Sequence, residues 1–209
     1  MKKYIPVGIV VLGVVVVVVV FLVSKFLSGG AEDLLADESA ARELTAQERP
    51  FTSLTPSVDG HELKLVVENI DIEGVVGVDY ELLYTVEDGR TQGGWGTVAI
   101  NPGESVERDL LLGSESAGKK RFDEGVERGM LTLRFRDEKG RLIAKLATDW
   151  HLQNNTGSLT SIDGAFQHEV KNFKGVFFVV MDTFGLKGGA TEIGPHYNVF
   201  ASDGRGRAL

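Results

Sequence analysis

The sequence predicts an all-β chain: an antiparallel β-sandwich ectodomain of about nine or ten strands, preceded by one N-terminal transmembrane helix and a short helical spacer. Three observations carry that expectation. Ile5 to Val23 is an apolar run interrupted only by Pro6, Gly8 and Gly13. Beyond Pro50 apolar and polar residues alternate with period two, and no helical period of useful length appears. Turn signals punctuate that alternation roughly every 8–12 residues, the rhythm of short strands.

The N-terminal run is read as a membrane anchor over residues 5–27, with residues 1–4 as a cytoplasmic tail. Its 19 positions from Ile5 to Val23 span about 28 Å as a helix, close to a hydrocarbon core of roughly 30 Å. Seven consecutive valines, Val14 to Val20, favour helix poorly in water. In lipid, however, each backbone group must be satisfied within the segment, which enforces the helix. Lys2 and Lys3 precede the run, while Glu32, Asp33, Asp37 and Glu38 follow the single Lys25. The excess of basic residues on the N-terminal side places the N-terminus in the cytoplasm and the C-terminal domain outside. Ser28-Gly29-Gly30 resembles a signal-peptidase site, but the apolar core exceeds the roughly 7–15 residues of a signal peptide. A retained anchor is the stronger reading.

Residues 28–50 form an acidic spacer, and its stretch from Ala31 to Arg49 is rich in Ala, Glu and Leu without Gly or Pro. That composition predicts a helix, thinly striped by Leu34, Ala41 and Leu44, standing in solvent or fraying, and ending at Pro50.

The body, 51–209, is divided into a core module, 51–153, and an extension, 154–209. His61 to Ile70 places Leu63, Leu65 and Val67 on one face and Glu62, Lys64 and Glu68 on the other. Tyr80, Leu82, Tyr84 and Val86 form the next alternating set, and Asp88-Gly89 turns the chain back through Thr91 to Ile100. Asn101-Pro102-Gly103-Glu104 fits a type II turn, after which Val106 to Leu112 reads as a strand. A loop rich in Gly, Ser and charge is expected over 113–128. The clearest hairpin follows: Leu131, Leu133 and Phe135 run out, Asp137 to Gly140 turns, and Leu142 to Leu152 returns. Arg134 and Arg136 sit on its outer face, where they pair across the strands with acids or, as the default reading, stay solvated. Ala165 to Val170, Gly175 to Thr183 and Thr191 to Phe200 are the last strand candidates. Val176 to Met181 is apolar on both faces, so it must be a central strand covered on both sides or one shielded by the spacer.

The strand count of 51–153, about seven, resembles that of immunoglobulin-like and fibronectin type III-like ectodomain modules. The resemblance implies an antiparallel sandwich with one core tryptophan, a place open to Trp95 or Trp150. The chain departs from antibody domains in having no cysteine. That absence also excludes disulfides, thiolate metal sites and thiol nucleophiles.

Charge narrows the partners. The net charge is −8, and setting aside Lys2, Lys3 and Lys25 leaves 19 basic against 30 acidic residues in the rest of the chain. So acidic a body repels phosphate, which argues against nucleic acid. The bilayer, through 5–27, and a protein or glycan outside are the expected partners.

No residue is assigned a catalytic, cofactor-binding or metal-binding role. His61, His151, His168 and His196 lack zinc-site spacing. Asp149 and His151 share a strand face, but no serine stands on an elbow turn to complete a triad. Asp71, Glu73 and Asp79 around Gly74 and Gly77 carry oxygen ligands but match no calcium loop. Gly93-Gly94-Trp95-Gly96 reads as a β-bulge with a packed Trp, the alternative being an exposed carbohydrate or partner contact. Asn154-Asn155-Thr156 is formally a glycosylation sequon. The expectation is therefore a non-enzymatic module for adhesion, scaffolding or envelope assembly. Its alternatives are an anchored hydrolase or carbohydrate-active domain, and an accessory subunit of a membrane complex.

Overall fold

Period-two alternation becomes strands throughout the body. A computed structural model describes residues 41–101, 103–187 and 194–204. The anchor and the spacer as far as residue 40 lie outside them. Among the described residues no helix is long and apolar enough to cross a membrane. The strands are β1 (Phe51–Pro56), β2 (Glu62–Glu68), β3 (Gly77–Thr85), β4 (Thr91–Ala99), β5 (Val106–Leu111), β6 (Gly113–Ser116) and β7 (Lys119–Phe122). They continue as β8 (Arg128–Arg136), β9 (Leu142–Asn154), β10 (Ser158–Thr160), β11 (Gln167–Glu169), β12 (Phe177–Asp182) and β13 (Tyr197–Ala201).

The fold is all-β and its pairing antiparallel. A six-stranded sheet runs in the order β13-β12-β9-β8-β3-β4, and a three-stranded sheet in the order β1-β2-β5. Two ribbons, β6-β7 and β10-β11, complete the set. The inner faces of both sheets feed one core. Leu54, Leu63, Leu65, Val67 and Val106 come from the small sheet; Val78, Leu82, Leu131, Leu133, Phe135 and Trp150 come from the large one. Each fully buried large apolar side chain contributes about 1.5–3 kcal/mol relative to exposure.

Turn chemistry fixes the registers. Gly89, Gly103 and Gly140 have φ of 82°, 83° and 76°, the left-handed region that the Asp88-Gly89, Asn101 to Glu104 and Asp137 to Gly140 turns require. Glu104 N–H donates to the Asn101 carbonyl at 3.0 Å, closing the second of these.

β12 answers the question posed by its doubly apolar sequence. It lies between β9 and β13, with Val179 and Met181 in the main core. Val176, Phe178 and Val180 enter a second core with Leu159, Val199 and Ala201, flanked by Phe166, Val170, Phe173 and Tyr197. It is thus an interior strand covered on both sides. The extension both lengthens the large sheet, through β12 and β13, and adds the small β10-β11 cover.

Four expectations are corrected. Residues 41–50 are not a helix standing in solvent. A single 3₁₀ turn, Ala46–Glu48, interrupts extended chain there. Leu44 and Ala46 are buried, and Arg42 N–H donates to the Ile143 carbonyl at 2.9 Å. Burying two apolar side chains and gaining a backbone bond outweighs a helix propensity worth tenths of a kcal/mol per residue. The 113–128 loop contains the β6-β7 hairpin, turned by Ala117 and Gly118 at φ 50° and 73°. Positive φ at both positions is the type I′ geometry that matches strand twist. β1 was not anticipated; nearly every position of it is buried, so its sequence does not alternate. Finally, β4 pairs with β3 in unbroken register from Gly77↔Ala99 to Thr85↔Thr91, so Gly93 to Gly96 form no bulge.

Candidate functional site

The outer face of the large sheet carries the most exposed aromatic residue described. Trp95 is 83% exposed at the middle of β4, while Trp150 is fully buried. The expectation of a packed Trp95 is therefore reversed, and Trp150 is the core tryptophan. Edge position decides the matter: β4 ends the six-stranded sheet, and no strand of the small sheet buries its face. Gly93 and Gly94 put no side chain beside the indole. A Cβ on Gly93 would meet the Leu82 carbonyl at 2.3 Å, so that glycine is needed for close approach.

Around Trp95 the sheet offers apolar surface on one side and paired charge on the other. Leu83 and Met130, 38% and 43% exposed, are cross-strand partners one row away. Glu81 stands directly opposite Trp95 and accepts from Arg134 Nη1 at 3.0 Å. Arg136 Nε donates to Asp79, whose other oxygen accepts from the Thr97 hydroxyl at 2.7 Å. Arg134 and Arg136 are therefore bound across strands rather than merely solvated. Half-buried positions favour this, because a guanidinium drawn partly out of water gains by meeting a carboxylate. The result is a small exposed apolar patch with fixed hydrogen-bonding groups at its margin.

A second candidate is a cleft of about 480 Å³ at one end of the sheets, lined by Asp59, His61, Asp123, Glu127, His151 and Gln153 among others. The His151 Nδ1 lies 2.8 Å from the Thr160 carbonyl. A carbonyl only accepts, so Nδ1 carries a proton and donates this bond. The Asp149–His151 pairing considered from sequence does not orient this ring; Thr160 does. Asp59 accepts from the Ser57 hydroxyl at 2.6 Å and from His61 N–H at 3.2 Å. The Ser57 bond, then the His61 bond, hold its carboxyl below the ordinary range, which makes it a fixed anion rather than a proton donor. Asp123 accepts from the Tyr84 hydroxyl at 2.8 Å. Burial first, and then that carboxylate, push the Tyr84 phenol well above its ordinary value.

The possible oxygen ligands read around Gly74 are separated. Asp71 and Glu73 line a cavity of about 620 Å³ with Asp137 and Glu138, whereas Asp79 lies on the outer face with Arg136. Among the described residues no group of three or more His, Cys, Asp or Glu side chains is placed to hold a metal ion. His61 stacks on Phe122 at 4.3 Å between centroids, and His168 lies near Phe166 at 6.3 Å.

Neither a family model nor a curated protein matches the chain. The site thus rests on its own geometry. Sequence reasoning found Trp95 but assigned it to the interior; the absence of any charge from Thr91 to Ala99 was the available signal of an unusual strand.

Proposed function

We propose that this chain is a membrane-anchored, extracytoplasmic β-sandwich module that works by contact: adhesion, scaffolding or envelope assembly through a protein or glycan docked at the outer face of the large sheet. The observation that carries the reading is Trp95, an indole 83% exposed on a glycine-flanked strand. Exposing so large an apolar surface gains nothing for folding, and aromatic residues of this kind dominate binding energies elsewhere. The core shared by two antiparallel sheets supports the sandwich architecture. The apolar run Ile5 to Val23 with its basic N-terminal flank supports the anchor and its direction.

The test uses the chain's two tryptophans. Trp150 is buried, so surface quenching reports Trp95. Envelope glycans or solubilised envelope proteins are titrated against the full chain in detergent. Binding that changes Trp95 emission and is lost in Trp95→Ala supports the reading. Equal binding by Trp95→Ala overturns it. Protease added to intact cells should degrade the body; a protected body overturns the orientation.

A further inference from the structure

We propose that β4 pairs edge to edge with β4 of a second copy of this chain, antiparallel about a two-fold axis midway between the two Trp95 residues. This pairing goes beyond the docking reading: it uses the strand's backbone edge and brings the two Trp95 side chains together at the seam, whereas that reading concerns the ligand the face would take.

Sheet edges expose unpaired N–H and C=O groups. Proteins blunt them with charge, proline, bulges, brevity or cover. Three of the four edges of the two sheets show such devices. β5 carries Glu107, Arg108 and Asp109. β1 ends in Pro56, and its Thr52 N–H is taken by the Thr183 carbonyl. β13 is only five residues long. β4 has none of them. It is nine residues long, holds no Asp, Glu, Lys, Arg or Pro, and keeps an unbroken register with β3. Among the described residues, no backbone hydrogen bond reaches its outer edge.

The glycines of β4 leave the strand uncrowded. Gly93 and Gly96 have internal reasons, since a Cβ on them would meet the Leu82 carbonyl at 2.3 Å and the Tyr80 hydroxyl at 2.4 Å. A Cβ on Gly94 would meet nothing within 4 Å. Gly94 therefore leaves its face of the strand open beside Trp95.

The strand is suited to its own copy. Trp95 is the middle of the nine residues, so a two-fold axis there sets Thr91 against Ala99, Gln92 against Val98, Gly93 against Thr97 and Gly94 against Gly96. No pair brings like charges together, although each chain carries −8 overall. The two Trp95 indoles become cross-strand neighbours, Cβ atoms about 4.5–5.5 Å apart, a distance at which aromatic side chains pack. Long-range repulsion between the acidic bodies then makes association tighten with added salt.

The chain has no cysteine, so single-cysteine variants report the register directly. The full chain is purified in detergent as Trp95→Cys and as Thr91→Cys and oxidised mildly. Cysteines at 95 meet across the axis. Those at 91 stand eight positions apart, about 27 Å along the strand. Trp95→Cys is expected to form covalent dimer at least about tenfold faster than Thr91→Cys, given the narrow geometry a disulfide accepts. Trp95→Lys, which sets two ammonium groups at the axis, is expected to sediment as monomer where the wild-type chain self-associates more strongly with salt. Equal cross-linking at both positions overturns the proposal, as does a wild-type chain that sediments as monomer at every salt concentration. Loss of envelope binding in Trp95→Ala together with equal cross-linking would remove the pairing and leave the docking reading standing.

Discussion

Trp150 packs its indole directly against Gly129 on the adjacent strand: a Cβ on Gly129 would stand 2.5 Å from the Trp150 Cζ2 and 2.1 Å from the Leu83 carbonyl. Neither neighbour has room to move. Leu83 contributes backbone, and Trp150 is fully enclosed. Gly129→Ala is therefore expected to destabilise the fold by about 1–3 kcal/mol through overpacking, read as a lower denaturant midpoint. Gly94→Ala, with open space beside it, is expected to leave the unfolding free energy within about 0.5 kcal/mol of wild type.

Thr52 yields an expectation of the opposite sign. It is fully buried in β1, and its hydroxyl has no hydrogen-bond partner among the described groups. Thr52→Val keeps the shape and removes a desolvated polar atom whose burial costs about 1–3 kcal/mol. The variant is expected to be more stable by about 1 kcal/mol, measurable by thermal or urea unfolding. A less stable variant would mean that water satisfies the hydroxyl.

Asp163 ties the β10-β11 turn to β13. Its carboxylate accepts from the Ser161 hydroxyl at 2.6 Å, the Tyr197 hydroxyl at 2.5 Å and the Ala165 N–H at 3.1 Å. These bonds hold it down to about 2. Burial, and then Asp163, push the Tyr197 phenol up to about 12. The depressed carboxyl stabilises the fold above the ordinary carboxylate value and ceases to as pH falls toward 2. The raised phenol stabilises it below pH 10 and ceases to as pH rises toward 12. Asp163→Asn is expected to move the Tyr197 absorbance titration downward while leaving it above 10, because burial remains. An unmoved titration would refute the coupling.

The Arg42–Glu48 pair offers a test of the docked N-terminal segment. Arg42 donates to both oxygens of Glu48, at 2.9 and 2.5 Å, and Thr45 adds its N–H at 3.0 Å. The Arg42 bonds first, and then the Thr45 amide, hold the Glu48 carboxyl down to about 2. Arg42 is 42% exposed, so solvent screens the pair and its worth is about 0.5 kcal/mol. Glu48→Gln is expected to speed hydrogen exchange at the Arg42 amide, bonded to Ile143, while leaving core amides unchanged.

What was legible in the sequence was what alternates. Leu131, Leu133 and Phe135 face one core, and from Leu142 to Leu152 buried residues alternate with more exposed ones, so period two located β8 and β9. β1 is buried at almost every position and β7 exposed at every one, so neither has a period to read. The segment around Leu44 was misread because propensity is local, whereas the surface that receives Leu44 and Ala46 is assembled from distant chain. Trp95 failed for a related reason: residue type reports preference for burial, but strand order decides which strand ends a sheet. The acids around Gly74 were close in sequence, yet strand pairing carries Asp79 onto the other face of its sheet.

β12 sets the order in which the molecule can be completed. Val179 and Met181 close a core whose other members begin as early as Leu44, while Val180 and Phe178 found the second core. A growing chain that ends before residue 177 leaves β9 as a naked edge with Trp150 and Leu152 incompletely sealed. Neither core can finish assembling on the emerging chain until the ribosome has moved well past residue 182. Through most of its synthesis the body therefore depends on whatever holds unfinished chains apart.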